Sequence, residues 1–268
     1  MNLKKIAQQV RTDIINQVAD AASGHPGGSL SAVEILTLLY FEIMNIDSLS
    51  DPQRDRFVLS KGHASPLLYS IFAQKGFIEH SELSDFRKLG SRLQGHPDMK
   101  RLPGVEISTG SLGLGCSAAA GMALAGKTDA ASFRVYTLLG DGELQEGVVW
   151  EAFMAASHYR LDNLTVIIDN NNLQIDGKVD EVMSVYPIKE KLESFGFNVQ
   201  TADGHDFESL RSAFSAAKNS SGKPNAVIAS TIKGKGVSFM QNNPGWHGKA
   251  PDSEQRAQAL KELGGSDE

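Results

Sequence analysis

Two apolar runs, Phe133 to Leu139 and Leu164 to Ile168, constrain this chain more than anything else in it, because each ends in a cluster of small polar residues. Between them, Glu146 to Tyr159 has helical spacing. Strand, helix and strand in that order predict a βαβ unit, two parallel strands joined by a right-handed crossover. The polar clusters, Leu139-Gly140-Asp141-Gly142 and Asp169-Asn170-Asn171, then fall at the carboxyl ends of strands. Open α/β sheets bind their ligands there. An aspartate and an asparagine amide arriving together supply hard oxygen ligands for Mg²⁺ or Ca²⁺. The glycines on either side of Asp141 let a bulky anion approach the backbone. The residues alone therefore point to a metal-bridged phosphate site, although Gly-Asp-Gly by itself is equally a plain turn.

The alternation continues along the chain. A short strand, Arg56 to Leu59, leads into Lys61-Gly62-His63, and a helix follows from Pro66. Helical periodicity covers Leu3 to Ala22, Ser31 to Met44, the Ala/Gly-rich Leu114 to Ala125, Phe207 to Ala217 and Glu254 to Leu263. Phe197 to Thr201 and Ala226 to Thr231 read as strands, 90–110 and 233–252 as polar loops, and the 264–268 tail as frayed. The prediction is an α/β fold: one domain over residues 1–268 with a doubly wound, mostly parallel sheet and helices on both faces. A net charge of −6 without a run of Lys or Arg argues against nucleic acid. The single cysteine, Cys116, allows no intrachain disulfide and suits a reducing compartment. Met1 to Ala22 is charged and amphipathic, a surface helix and not a signal peptide, and the longest apolar stretch, Ile35 to Phe41, is too short to span a membrane. A cytoplasmic, soluble protein with no membrane contact is the expectation.

Four of the seven histidines sit in Gly/Pro surroundings: Ser23-Gly24-His25-Pro26-Gly27, Ser60-Lys61-Gly62-His63, Gln94-Gly95-His96-Pro97 and Trp246-His247-Gly248. A histidine held in a tight turn can aim its imidazole at a ligand, donate to a phosphate or sugar hydroxyl, or move a proton near neutral pH. Each alone reads as a loop histidine bonded to nearby backbone; four with the same local chemistry make that reading weaker. His80, His158 and His205 lie on or beside helical or charged stretches and read as surface residues.

Gly-Asp-Gly followed at this distance by Asn-Asn resembles the thiamine diphosphate motif, and the segments from Ser23 to Pro251 resemble the transketolase branch of that superfamily. By that resemblance Asp141, Asn171 and the backbone carbonyl of Leu173 are metal ligands, and Gly142 offers its N–H to the diphosphate. His63 bonds a diphosphate oxygen. His25 and His247 face the diphosphate side and the substrate, and His96 meets the donor's terminal hydroxyl and carbonyl. Thr109 to Gly115 resembles the loop beneath the aminopyrimidine, held by the Gly110 carbonyl and the Leu112 side chain; Ser111 stands where that family commonly has proline. Glu146 matches a glutamate placed at the family's subunit interface between two active sites, but it also reads as a first-turn residue favoured by the helix dipole. Asp176 reads as a turn former. Lys233-Gly234-Lys235-Gly236 lacks Walker spacing, and its lysines read as solvated or near the substrate entrance.

The resemblance also implies what lies elsewhere. The family activates the cofactor ring with a glutamate from a second, pyrimidine-binding domain, and the arginines that grip a sugar phosphate belong to that part too. The expectation is the N-terminal subunit of a split transketolase. It would work with a separate C-terminal subunit, two copies of each, to move a two-carbon ketol unit from a ketose to an aldose. Pentose phosphates are the default substrates, with branched or sulfonated sugars as alternatives. Two further readings stand beside it: a thiamine-dependent synthase joining a two-carbon unit from a 2-oxo acid to an aldose phosphate, and a non-catalytic regulatory paralogue. The Gly-His-Pro segments at His25 and His96 favour ketol transfer over the synthase. The chemical equipment of Asp141, Asn171 and the four histidines counts against the paralogue.

Overall fold

The computed structural model describes residues 2–264. Helices α1 (Leu3–Asp20), α2 (Pro26–Ser31) and α3 (Val33–Leu38) precede strand β1 (Arg56–Leu59), which α4 (Ser65–Lys75) follows. Helix α5 (Leu114–Thr128) leads into β2 (Val135–Gly140), α6 (Gly147–His158) and β3 (Leu164–Asn170). A small hairpin, β4 (Leu173–Gln174) and β5 (Gly177–Lys178), is followed by short helices α7 (Val179–Val182) and α8 (Ile188–Ser194). Strand β6 (Asn198–Asp203), helix α9 (Phe207–Lys218), strand β7 (Asn225–Ser230) and helix α10 (Ser253–Glu262) complete the described chain. From Gly265 on, the expected frayed tail lies outside the described residues.

The five long strands pair in the order β1-β2-β3-β7-β6, every pair parallel. Buried parallel strands need apolar side chains on both faces, and β3 (Leu-Thr-Val-Ile-Ile-Asp-Asn) supplies them with β-branched residues that suit a pleated surface. Alternate residues enter different cores. Tyr136, Leu138, Ile167 and Val227 join α1, α3, α4 and α9 on one face. Val135, Leu139, Val166, Ile168 and Ala226 join α5, α6 and α8 on the other. The sheet is thus covered on both faces, as the alternating pattern predicts. Among the described residues no helix is long and apolar enough to cross a membrane.

Three departures from the sequence reading have local causes. The helix expected over 31–44 is broken: Ala32 leaves helical geometry (φ −106°, ψ 17°), and Leu39–Ile43 widens into a π turn. Pro26 at the first helical position starts α2 earlier, which moves Gly27 to Leu30 from a loop into a buried turn of helix. Helix α1 is no ordinary surface helix. Arg11, Asp13 and Gln17 are buried along with its apolar face, and each is hydrogen-bonded: Gln17 donates to Ser70, for example, and Asp13 accepts from Gln74. The hairpin and α7–α8 were missed because 171–194 is short-period and mostly polar.

At the carboxyl edge of β1 the backbone passes so close to α5 that only glycine fits. A Cβ on Gly115 would meet Ser60 Cα at 2.7 Å, and the Ser60 hydroxyl accepts the Cys116 N–H at 3.1 Å. Gly115→Ala should therefore lower the free energy of unfolding by about 1–3 kcal/mol, the usual cost of overpacking a filled interior. Chemical denaturation measures this, and a variant as stable as the parent would contradict the close approach.

Candidate functional site

The register of β2 against β3 sets Gly140 opposite Asp169, so the two polar clusters adjoin at one sheet edge. Asp169 itself is fully buried. One carboxylate oxygen receives the Lys61 ammonium and the Ser31 hydroxyl, and the other receives the Thr231 hydroxyl. Lys61 also donates to the Gly28 carbonyl at 2.8 Å. Burial alone would raise the Asp169 carboxyl, but Lys61's charge and these hydrogen bonds hold it below the usual carboxylate range. Charge buried in this way survives only when paired. The pair ties the ends of β1 and β3 to helix α2, and together they form the floor of a cleft.

That cleft, of about 330 Å³, is lined by His25, His63, Gly110, Leu112, Asp141, Gly142, Glu146, Asn171, Leu173 and His247 among others. Four loops from distant parts of the chain converge there. The ring centroids of His63 and His247 lie 5.1 Å apart, those of His25 and His63 5.2 Å, and those of His25 and His247 5.5 Å. His96 stands behind this trio, 6.5 Å from His25, against the backbone of Gly110. A Cβ on Gly28 would come within 3.3 Å of His63 Nε2, so glycine lets this imidazole lie across the start of α2.

Electrostatically the cleft holds one ammonium that makes no salt bridge among the described residues, Lys233. Lys233, only 2% exposed, reaches in with Nζ donating to the Leu173 carbonyl at 3.0 Å and lying 2.8 Å from His247 Nδ1. Burial and the neighbouring Lys61 lower its ammonium to about 8. His25 is lowered to about 4 by burial and then by its neighbours Arg87, His96 and Lys233, and His247 to about 3 by burial and Lys233. Burial and Lys61 push His63 well below its ordinary value, and burial with Arg87 lowers His96. These imidazoles are neutral at pH 7, and His25 Nδ1 is buried without a partner. An anion entering the cleft would meet uncharged N–H donors and one ammonium with no carboxylate of its own.

Asp141 has the complementary need. It is 1% exposed, and its oxygens accept only backbone N–H groups, Gly142 at 2.8 Å and Asn172. Burial, then the charge of Asp169, raise its carboxyl to about 6. A desolvated carboxylate without a salt-bridge partner suits a divalent cation. Asn171 Oδ1 and the Leu173 carbonyl line the same cleft, held by the Leu173 N–H at 3.1 Å and by Lys233. No three His, Cys, Asp or Glu side chains among the described residues converge on a metal. A cation here would draw on one carboxylate, neutral oxygens and its own ligands, the habit of Mg²⁺ beside phosphates.

Several functional side chains escaped sequence reasoning, and some readings need correction. Lys233 is not solvated; its stem packs against Gly27 and is desolvated. Lys61 was visible only as a neighbour of His63, because its partner Asp169 lies 108 residues away. Glu146 is the exposed N-cap of α6, one position before the first turn, and makes no capping bond. The buried carboxylate is Glu143. It accepts the Ser60 hydroxyl at 2.5 Å, the Gly113 N–H at 2.8 Å and the Gly140 N–H at 3.2 Å, locking the 109–115 loop to the ends of β1 and β2. His205 is not a surface residue: its ring bonds Glu34 at 3.0 Å and the Ile232 N–H at 2.8 Å. Asp176 does occupy the two-residue turn of the β4–β5 hairpin.

Comparison with known proteins agrees with this geometry. Residues 2–268 match the family model of the transketolase thiamine diphosphate-binding domain. The chain is 41% identical to one of the separate chains of the apulose-4-phosphate transketolase of Phocaeicola vulgatus, covering 96% of this chain and 92% of that one. It is 42% identical to the 6-deoxy-6-sulfo-D-fructose transketolase subunit SqwG of a Clostridium species, covering 98% and 96%. Against human transketolase the identity is 44% over 97% of this chain but only 42% of the human protein. The crystal structure of Campylobacter jejuni transketolase superimposes with a TM-score of 0.91 at 36% identity, over 99% of this chain and 44% of that one. The chain therefore belongs to the transketolase family, spanning its N-terminal thiamine diphosphate-binding part and matching almost end to end the separate subunits that some transketolases carry.

Proposed function

We propose that this chain, read as a single domain over residues 1–268, is the diphosphate-binding subunit of a two-chain transketolase. It moves a two-carbon ketol unit from a ketose to an aldose together with a C-terminal subunit, in an assembly with two copies of each. The observation that carries this reading is the single cleft in which Asp141, Asn171 and Leu173 stand beside His25, His63 and His247. Thiamine diphosphate supplies the electron sink for the two-carbon fragment. The work of this chain is to hold and orient. Asp141, Asn171 Oδ1 and the Leu173 carbonyl hold Mg²⁺, or Ca²⁺ in its place. The Gly142 N–H and His63 bind diphosphate oxygens, with Lys233 as the nearby cation. Gly110 and Leu112 support the aminopyrimidine. His25, His96 and His247 present neutral imidazoles to the sugar's hydroxyl and carbonyl groups, each able to hold or pass one proton. Glu146, exposed on the cleft rim, faces the subunit interface.

The substrates are sugar phosphates or similarly anionic sugars, with pentose-phosphate intermediates as the default in the cytoplasm. The names of the two subunit relatives, one for apulose 4-phosphate and one for a sulfonated deoxyfructose, keep branched and sulfonated ketoses in view. The chain spans about two fifths of the human enzyme; its near end-to-end similarity to separate transketolase subunits supports the need for a second chain.

Two measurements check this reading. The purified chain alone, supplied with thiamine diphosphate, Mg²⁺ and a ketose–aldose pair, should show no turnover, and adding a C-terminal transketolase subunit should restore it; vigorous turnover by the single chain would contradict the assignment. Histidine titration tests the electrostatics. In the free chain the His25 ring should stay neutral until the pH falls to about 4. Its folded-state value lies below the ordinary 6.5, so this residue's contribution to stability is complete above pH 6.5 and is lost as the pH drops toward 4. Inorganic diphosphate should move the midpoint upward. An NMR midpoint near 6.5 without ligand would refute a desolvated His25 beside Arg87 and Lys233.

A further inference from the structure

Behind the cleft lies a second buried polar cluster that the chemistry above does not use. Its members come from three separate elements. Arg11 on α1 is 7% exposed and pairs with Glu34 on α3, itself 8% exposed, at 2.7 Å. Glu34 Oε2 lies 3.0 Å from His205 Nδ1, and His205 Nε2 accepts the Ile232 N–H at 2.8 Å. A ring nitrogen that accepts an amide hydrogen carries no proton, so the hydrogen of this imidazole sits on Nδ1 and is donated to Glu34. Burial would raise the Glu34 carboxyl, but the hydrogen bond from His205 and the charge of Arg11 hold it at about 2, so it stays an acceptor for both. Arg11 Nε, meanwhile, donates to the Lys235 carbonyl at 3.1 Å, and a Cβ on Gly236 would meet the Arg11 side chain at 3.0 Å.

Residues 232 and 235 are the two ends of a single turn, closed by the Lys235 N–H donating to the Ile232 carbonyl at 3.1 Å. Lys233 projects from the middle of that turn into the cleft. The triad therefore grips both ends of the segment whose side chain reaches Leu173 and His247. We propose that Arg11, Glu34 and His205 are positioning residues that set Lys233 in the cofactor cleft. They act through the 232–235 turn and touch neither cofactor nor sugar. A lysine stem left to itself samples many rotamers, and a backbone anchored at both ends removes most of that freedom before any anion arrives. The functional consequence rests on the cofactor reading above; the anchoring itself does not.

The test separates the two. In the folded wild-type chain an amine-acylating reagent should label Lys233 far more slowly than the exposed Lys88, as read by peptide mass spectrometry. His205→Phe keeps the ring volume but loses both hydrogen bonds, and it should raise Lys233 labelling on the order of tenfold relative to Lys88. His205→Gln can still donate to Glu34 and accept from Ile232, and it should restore slow labelling. In the two-chain assembly, His205→Phe should weaken thiamine diphosphate binding on the order of tenfold, as expected when a supporting contact is lost, with His205→Gln near wild type. If His205→Phe does not fold by circular dichroism, Glu34→Gln takes its place under the same criterion. Slow Lys233 labelling in a folded His205→Phe or Glu34→Gln chain would overturn the proposal. If the wild-type assembly binds no thiamine diphosphate, the cofactor reading fails, and Lys233 labelling still decides the anchoring.

Discussion

The ion pair between Lys61 and Asp169 is the interaction on which the rest of the site depends. It is buried at the carboxyl edge of the sheet, where its two charges join the ends of β1 and β3. Ser31, Thr231 and the Gly28 carbonyl complete its hydrogen bonds, so one pair fixes four chain segments around the cleft. Losing either partner would strand the other charge out of water, a cost of about 3–5 kcal/mol in comparable buried pairs. Such an arrangement serves geometry more than stability. It places Gly28 under His63 and leaves Thr231 as the last fixed point before the turn that carries Lys233.

From that anchor the charge balance of the cleft follows. Lys61 is neutralised by Asp169, whereas neither Lys233 nor Asp141 forms an ion pair among the described residues, although each lies close enough to feel the other's charge. One unpaired ammonium and one unpaired carboxylate face the same space with neutral imidazoles between them. A bare anion would repel Asp141, and a bare cation would repel Lys233. A diphosphate that brings its own divalent metal satisfies both at once. The ligand class thus follows from the pattern of unmet charges as well as from family membership.

Much of this was legible in the sequence, for identifiable reasons. Strands β2 and β3 are buried on both faces, so their composition is nearly continuous apolar residue, and their polar ends stand out. His25, His63, His96 and His247 drew notice because glycine and proline around a histidine signal a turn, not a packed helix face. What was hidden depends on distance and desolvation. The partner of Lys61 lies across the sheet, and nothing in Lys233-Gly234-Lys235-Gly236 shows that packing against Gly27 would bury the first lysine. Glu143 and Glu146 are three residues apart on the same turn, and only the fold shows that Glu143 points inward to Ser60 and Glu146 outward. His205 looked superficial because its partners, Glu34 and Ile232, belong to other elements.

The central claim, that the edge of β2 and β3 holds a metal-bridged diphosphate through Asp141, is tested most directly by calorimetry on the two-chain assembly. The account predicts that thiamine diphosphate binds with Mg²⁺ or Ca²⁺ present, that chelation abolishes the binding heat, and that Asp141→Ala abolishes it in an assembly that is still folded. Binding of undiminished affinity in the presence of chelator, or by the folded Asp141→Ala assembly, would contradict it.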